Sequence, residues 1–310
     1  MSIGTHIDGD LIKLLGQKSY AGAAKSLFRE RGVRCGQLFI MSPYQTSWVK
    51  LEDADMRACA ANGFRMYAHA NYLSHMCNAA TVGVIHMQIK RAMELDLAGL
   101  VVHLENASIE DNVRAAIGLC EYRARVAAEM GVSKWAPLLF ENNALTKAPV
   151  FDTGTKLKAF VHGVAAAGYE PRDFGVCIDT AHLWSCGQNI QLSSAMKAWL
   201  DEFDGARWIK LFHLNDNISP LGGKDLHAMI GYGSIWPIRS RGSDSRSHKY
   251  ANIGRWPGVE RDREPGFIEV LRYAKMHDID VILERSKDDP ALVLEEVENL
   301  RAVRESIRVS

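Results

Sequence analysis

The chain has 310 residues, 47% hydrophobic and 24% charged, an ordinary globular composition with ample material for one large core. Its 37 basic and 37 acidic residues cancel, so no global field draws it to a polyanion; affinity for phosphate must come from a local patch or from bound cations. No run approaches ~20 consecutive apolar residues, which excludes a membrane-spanning helix, and the stretch Met1 to Gly9 carries Asp8 and no apolar run, unlike a signal peptide.

Short apolar, β-rich runs alternate with longer helical patterns along the chain. The first three expected strands are Ser2–His6, Cys35–Ile40 and Phe64–Ala68. A helix-period segment, Ala79–Leu97, leads to the fourth, Leu100–His103, whose surroundings are nearly all apolar, as in a strand covered on both faces. The helical pattern Ile109–Met130 precedes the fifth strand, Pro137–Phe140. Phe174–Ile178 and Trp208–Phe212 follow, and the helix pattern Phe267–His277 precedes the eighth strand, Asp280–Leu283. Regular β–α alternation predicts a parallel sheet, and eight strands predict closure into a (β/α)₈ TIM barrel, one domain over residues 1–310.

One stretch breaks the rhythm. From Trp236 to Pro265 the chain is rich in Arg, Ser, Gly and Pro and has no period. Between Arg239 and Arg255 this insertion carries Arg239, Arg241, Arg246, Lys249 and Arg255 against Asp244, with Trp236, Tyr250 and Trp256 nearby. It follows the seventh strand, so it is expected on the face where the strand C-termini converge. Its basic groups could meet phosphates and its aromatics sugars or bases; a solvated loop is the other reading of the same composition. The six cysteines, Cys35, Cys59, Cys77, Cys120, Cys177 and Cys186, form no C-x-x-C pair and read as small core residues in a reducing compartment. A soluble intracellular protein is expected, in the cytoplasm or a nucleus.

The positions of certain polar residues are the strongest signal. His69 follows the third expected strand, His103 ends the fourth, Glu141 follows the fifth, Asp179 the sixth, His213 the seventh and Glu284 the eighth. A lone His or Asp at a strand end is usually a cap, but six in succession on the face where barrel enzymes hold their active sites are hard to attribute to capping. His182 stands three residues after Asp179, so a helical turn starting there would bring both to one place. Asp225 and His227 form an Asp-x-His pair whose side chains point the same way on an extended backbone. Five His, two Asp and two Glu, with no thiolate, suit Zn²⁺ or Mn²⁺, and nine ligands exceed the needs of one ion. His6, His75, His86, His162, His248 and His277 read as structural or surface residues.

These motifs resemble the endonuclease IV family of zinc-dependent AP endonucleases over nearly the whole chain. The matching pieces are Gly4-Thr5-His6, His69-Ala70-Asn71-Tyr72-Leu73, Val101-Val102-His103, Phe140-Glu141-Asn142, the run from Val176 to His182, His213-Leu214-Asn215-Asp216, Asp225-Leu226-His227, the run from Gly231 to Ile235, and Leu283-Glu284. The segments around Asp179 and His213 are the most specific.

The resemblance implies three zinc ions, with Mn²⁺ able to stand at some sites. His69 and His103 would hold one, Asp179, His213 and Glu284 a second, and His182, Asp225 and His227 the third, with Glu141 as the catalytic carboxylate bridging the first two. Such ions would supply a nucleophile at neutral pH and charge neutralisation for phosphodiester hydrolysis. It further implies a monomer acting on double-stranded DNA, cutting 5′ to abasic sites and trimming blocked 3′ ends in base excision repair, with Tyr72 and Leu73 as a minor-groove wedge. The chain departs from the family in three places. Leu104-Glu105 replaces a Pro-Gly, Asn142-Asn143-Ala144-Leu145 replaces a Gly-containing stretch, and the loop Met41–Trp48 lacks an Arg inserted into the DNA stack, with Gln45 or Thr46 near its place. The competing reading is a sugar isomerase or epimerase on the same barrel, holding one metal with Glu141, Asp179, His213 and Glu284. The other five residues, unneeded by such an enzyme, separate the two.

Overall fold

In the computed structural model the residues described are 1–132, 136–144, 150–237, 263–285 and 288–308. Eight parallel strands close into a barrel: β1 (Ile3–His6), β2 (Cys35–Phe39), β3 (Arg65–His69), β4 (Gly99–His103), β5 (Leu138–Glu141), β6 (Phe174–Asp179), β7 (Ile209–His213) and β10 (Asp280–Leu283). Each strand pairs with its sequence neighbour in the barrel, and β10 closes the ring between β7 and β1. A two-residue antiparallel pair, β8 (Asp216–Asn217) and β9 (His227–Ala228), lies in the connection after β7. The described helices are α1 (Gly9–Leu14), α2 (Tyr20–Arg31), α3 (Asp53–Ala61), α4 (Val82–Glu94), α5 (Ile109–Met130), α6 (Gly154–Ala166), α7 (Thr180–Ser185), α8 (Ser193–Phe203), α9 (Gly266–Met276) and α10 (Pro290–Ser306).

The eight expected strands are all present, and their ends correct the sequence reading in one respect. His69, Glu141, Asp179 and His213 are the last residues of their strands and do not follow them. The ladder runs on to the polar residue, pairing His69 with Val101, His103 with Glu141 and Asp179 with His213. The seventh strand starts at Ile209, because Trp208 belongs to a 3₁₀ turn. The helix expected over Ala79–Leu97 shortens to α4, while α5 keeps both expected ends. Ser108 caps the N-terminus of α5 by accepting from the Asp111 N–H, and Gly131 ends it at φ 65°, where a side chain would be strained.

Because strand side chains alternate, each strand offers the barrel interior every second residue. Cys35, Tyr67, Val101, Leu139, Cys177, Leu211 and Ile282 form one buried ring of contacts inside the barrel. Two residues further along each strand stand Gln37, His69, His103, Glu141, Asp179, His213 and Glu284. The polar layer at the mouth is therefore the next storey of the packed interior. On β1 the chain must pass close to β2: a Cβ on Gly4 would lie 2.0 Å from the Cys35 carbonyl oxygen.

The opposite end of the barrel is closed by a polar plug. Asp280 is 3% exposed and accepts from the Ser2 N–H at 2.7 Å, Arg65 Nη2 at 2.6 Å and the Tyr67 hydroxyl at 3.0 Å. Trp236, expected among exposed aromatics of the insertion, is instead 3% exposed. Its indole N–H donates to the Ile190 carbonyl at 3.2 Å and its ring packs edge-on against Phe267. A side chain buried against α9 is not free to pack on a nucleic acid. The basic residues Arg239, Arg241, Arg246, Lys249 and Arg255, with Asp244, Tyr250 and Trp256, lie outside the described residues.

The plug yields the first prediction. Asp280→Ala leaves the buried Tyr67 hydroxyl and Ser2 N–H without their acceptor, at a cost of about 3 kcal/mol. Urea denaturation of the variant should show a lower midpoint at unchanged slope; an unchanged midpoint would remove the plug from the account of stability.

Candidate metal centre

The nine candidate ligands all reach the mouth of the barrel. Glu141, at the end of β5, is fully buried and points its two oxygens different ways. Oε2 lies 3.2 Å from His69 Nε2 and 3.0 Å from His103 Nε2. Oε1 lies 2.9 Å from His213 Nδ1 and 3.5 Å from His182 Nδ1. One carboxylate thus joins two clusters, the arrangement of a bridging ligand. Around the second, His213 Nδ1 is 3.3 Å from Glu284 Oε2 and 3.9 Å from Asp179 Oδ2. Donor atoms of His69, His103 and Glu141 are mutually within 4.8 Å, and so are those of Glu141, Asp179, His213 and Glu284.

The third cluster is built by two local devices. Asp179 caps α7, its Oδ1 accepting from the His182 N–H at 3.0 Å, so the Asp-x-x-His spacing folds into one helical turn. The β8–β9 pair carries Asp225 and His227 against it, with His182 Nε2 3.3 Å from Asp225 Oδ2 and His227 Nε2 3.1 Å from Asp225 Oδ1. Asp179 Oδ2 also lies 3.7 Å from His227 Nε2, so the second and third clusters share Asp179 as the first and second share Glu141.

Two observations test whether cations fit. Asp225 Oδ1 and His227 Nε2 are buried and hydrogen-bonded to nothing, although they face each other. Buried polar atoms are rarely left so unless an ion or water completes them. The ring nitrogens are also sorted. His69 Nδ1 sits 2.7 Å from the Ala70 carbonyl and His182 Nδ1 2.6 Å from the Asn142 carbonyl. A carbonyl only accepts, so each Nδ1 carries the proton and each Nε2 is turned toward carboxylate oxygens of the cluster, as a ligand requires. The nine residues fit a set of cations.

Electrostatics agree. Burial opposes ionisation of Glu141, but His213 and His103 hold its carboxyl well below the usual range. Burial likewise opposes ionisation of Glu284, but His213, His69 and His227 together outweigh it, leaving Glu284 at about 2. Burial disfavours charge on the imidazoles too, yet Asp179 and Asp225 raise His182 well above the ordinary value and bring His227 to about 8, while Cys177, Glu284 and Glu141 raise His213.

Several residues contribute in ways the sequence motifs did not assign. Gln37 lies between His213 and Glu284. Asn215 donates to Asp179 Oδ2 at 2.6 Å and accepts from the Glu284 N–H and from Arg285, which is itself clamped by Glu296 on α10. Asp216 accepts from the N–H groups of Gly231, Gly233 and Ile235, which explains the Gly-Tyr-Gly-Ser-Ile run; a Cβ on Gly233 would meet Asp216 Oδ1 at 2.2 Å. His6, set aside as structural, is buried beside the cluster; burial, opposed by the Glu284 carboxylate but aided by His69 and His213, leaves it at about 4. Only the two-residue strand period could have pointed to Gln37.

Beside the ions' place a cavity of about 430 Å³ is lined by Tyr72, His103, Glu105, Asn143, His182 and Asp225, a size typical of small-molecule sites. Tyr72 stands partly exposed on its rim with the exposed Leu73 next in sequence, and the Tyr72 ring lies 5.6 Å from His69 and 5.8 Å from His103. Gln45 and Thr46 are exposed in the loop after β2. The neighbouring Tyr44, absent from the sequence-derived candidates, is 70% exposed and its ring lies 5.3 Å from that of Tyr72.

A closed parallel barrel with His and carboxylate side chains layered across its mouth defines the class, and the chain belongs to the xylose isomerase-like TIM barrel family, whose model matches residues 26–308. Within it the chain groups with endonuclease IV. It is 32% identical over 228 residues to the probable endonuclease 4 of Halorhodospira halophila, covering 67% of this chain and 74% of that protein. The crystal structure of endonuclease IV from Thermus thermophilus superposes with a TM-score of 0.67 at 22% identity, over 99% of this chain and all of that one. A D-tagatose 3-epimerase-like protein shares the fold at a TM-score of 0.59 and 18% identity, over 99% of this chain and 100% of that one.

The imidazole shifts predict how metal uptake depends on pH. A ligating nitrogen must be free of its proton. In the metal-free protein at pH 7, His227 is mostly protonated, with its value near 8, and His182 and His213 are protonated as well. Zinc binding at pH 7 should therefore release more than one proton per chain, and affinity should rise as pH passes through 8. Calorimetry in buffers of different ionisation enthalpy measures this; binding at pH 7 without proton release would contradict it.

Proposed function

We propose that this chain is a zinc-dependent apurinic/apyrimidinic endonuclease that hydrolyses the phosphodiester 5′ to an abasic site and trims blocked 3′ ends in base excision repair. The observation that carries the reading is the convergence of nine side chains into three clusters joined by shared carboxylates. His69, His103 and Glu141 would hold one ion, Glu141, Asp179, His213 and Glu284 a second, and His182, Asp225 and His227 a third, with Asp179 near both of the last two. Four carboxylates converge on one mouth, and cations bound among them would turn the site toward a phosphodiester. Zinc bound there supplies positive charge for the phosphate and water acidified toward neutral pH. Glu141, ionised throughout the neutral range, keeps the first two clusters in fixed relation. All nine side chains come from one chain, so a monomer suffices.

An abasic nucleotide has no pairing to lose, so drawing it out of the duplex costs less than flipping an intact one. The cavity beside the clusters gives it a place. Tyr72 and Leu73 would wedge the duplex from the rim, with Gln45 and Thr46 near the backbone. Tyr44 would extend the aromatic surface where the family inserts Arg. The neutral overall charge leaves attraction for DNA to the ions and to local basic residues such as Arg239, Arg241, Arg246 and Lys249.

The quartet Glu141, Asp179, His213 and Glu284 would by itself serve a one-metal sugar epimerase, and the fold shared with the epimerase-like protein favours keeping that reading. One experiment separates them. Zinc-loaded protein should nick a duplex carrying a single abasic site on its 5′ side, leaving a 3′-hydroxyl, and elemental analysis should find close to three zinc ions per chain. An intact duplex together with interconversion of ketose sugars would establish the epimerase. The double variant Asp225→Ala, His227→Ala should hold about two ions and cleave slower by orders of magnitude with its circular dichroism preserved; normal cutting would sink the third site. Tyr44→Ala should weaken binding to abasic duplex by about 1–3 kcal/mol, the worth of one stacked base, without changing the salt dependence. Unchanged affinity would remove Tyr44 from the interface.

A further inference from the structure

We infer that Gln37 is a positioning residue, whose single amide sets which nitrogen of His213 and which oxygen of Glu284 face the metal ions; the inference rests on the metal centre proposed above. Gln37 sits on β2, a strand that offers no His or carboxylate to the mouth. It occupies the same storey as the candidate ligands because it lies two residues after Cys35, as His69 lies two after Tyr67 and His213 two after Leu211. It is fully buried.

Its geometry admits one reading. Gln37 Nε2 is 2.6 Å from Glu284 Oε1, and Gln37 Oε1 is 2.8 Å from His213 Nε2. The amide nitrogen donates to the Glu284 carboxylate, so the amide oxygen faces His213. An amide oxygen only accepts, so His213 Nε2 carries a proton. His213 Nδ1 is left to the ions, and it is this atom that lies near Glu141, Glu284 and Asp179. The same bond occupies Glu284 Oε1 and leaves Oε2 toward His213 and His227. This is opposite to His69 and His182, whose Nδ1 protons are held by backbone carbonyls and whose Nε2 atoms face inward. Among the described residues no backbone carbonyl holds the outer nitrogen of His213, and the Gln37 side chain from β2 does so.

The test uses zinc binding, not cleavage. In long-range ¹H–¹⁵N spectra of zinc-loaded wild-type protein, His213 should carry its proton on Nε2 and be ligated through Nδ1. Gln37→Met, similar in volume but unable to make either hydrogen bond, should lose zinc to a competing chelator with 10–100-fold weaker affinity (about the cost of removing such a partner) at one site per chain. The slow exchange of the Nε2 proton should be lost. Ligation of wild-type His213 through Nε2, or a variant affinity within twofold of wild type with the same proton on Nε2, would overturn the inference while leaving the nuclease reading intact. Should the variant fail to fold by circular dichroism, the wild-type spectrum still decides. Wild-type protein that binds no zinc would instead overturn the proposed metal centre.

Discussion

The molecule depends on one geometric constraint: a strand in a closed barrel presents every second side chain to the interior. In this chain that step of two carries the lining from a ring of Cys, Tyr, Val, Leu and Ile to a ring of Gln, His, Glu and Asp. The lower ring packs and excludes water. The upper one inherits its spacing from the same backbone ladder, which pairs His103 with Glu141 and Asp179 with His213. Donor atoms are therefore held a few ångströms apart by the most rigid part of the fold, where mispositioning by an ångström would cost most.

A rigid frame alone does not make a metal site, because imidazole has two nitrogens and a carboxylate two oxygens. Carbonyls of Ala70 and Asn142 settle the choice for His69 and His182, and the amides of Gln37 and Asn215 act on His213, Glu284 and Asp179. Arg285 and Glu296 then tie Asn215 to the last helix. Buried charge of this density is unfavourable unless each member is paired, and cations among the clusters would complete the pairing at Asp225 and His227.

The same barrel fold is found in an epimerase-like protein, and in this chain the quartet Glu141, Asp179, His213 and Glu284 gathers at the ends of β5, β6, β7 and β10. Further candidate clusters are added at the rim. His69 and His103 complete one further cluster from strands already present. His182, Asp225 and His227 complete another from a six-residue helix and a two-residue strand pair. The cost of such an addition to the core is small, since none of these three residues belongs to a barrel strand.

The sequence by itself determined the barrel and pointed to six candidate ligands at strand ends, because both rest on local signals: apolar runs of fixed period, and a His or carboxylate recurring at the end of six successive strands. It also determined His182, through helical spacing from Asp179. Strand limits came out a residue short at β3, β5, β6 and β7, since a polar residue ends an apolar run without ending the ladder. Tertiary structure alone decided the rest. Trp236 reads as an exposed aromatic beside Arg and Ser, and only packing against Phe267 makes it core. Gln37 and Arg285 carry no motif, and their roles come from residues 176 and 70 positions away, at His213 and Asn215. Tautomer, bridging and the sharing of Asp179 are relations between atoms on different strands, and a linear pattern holds no distance between them until the barrel closes.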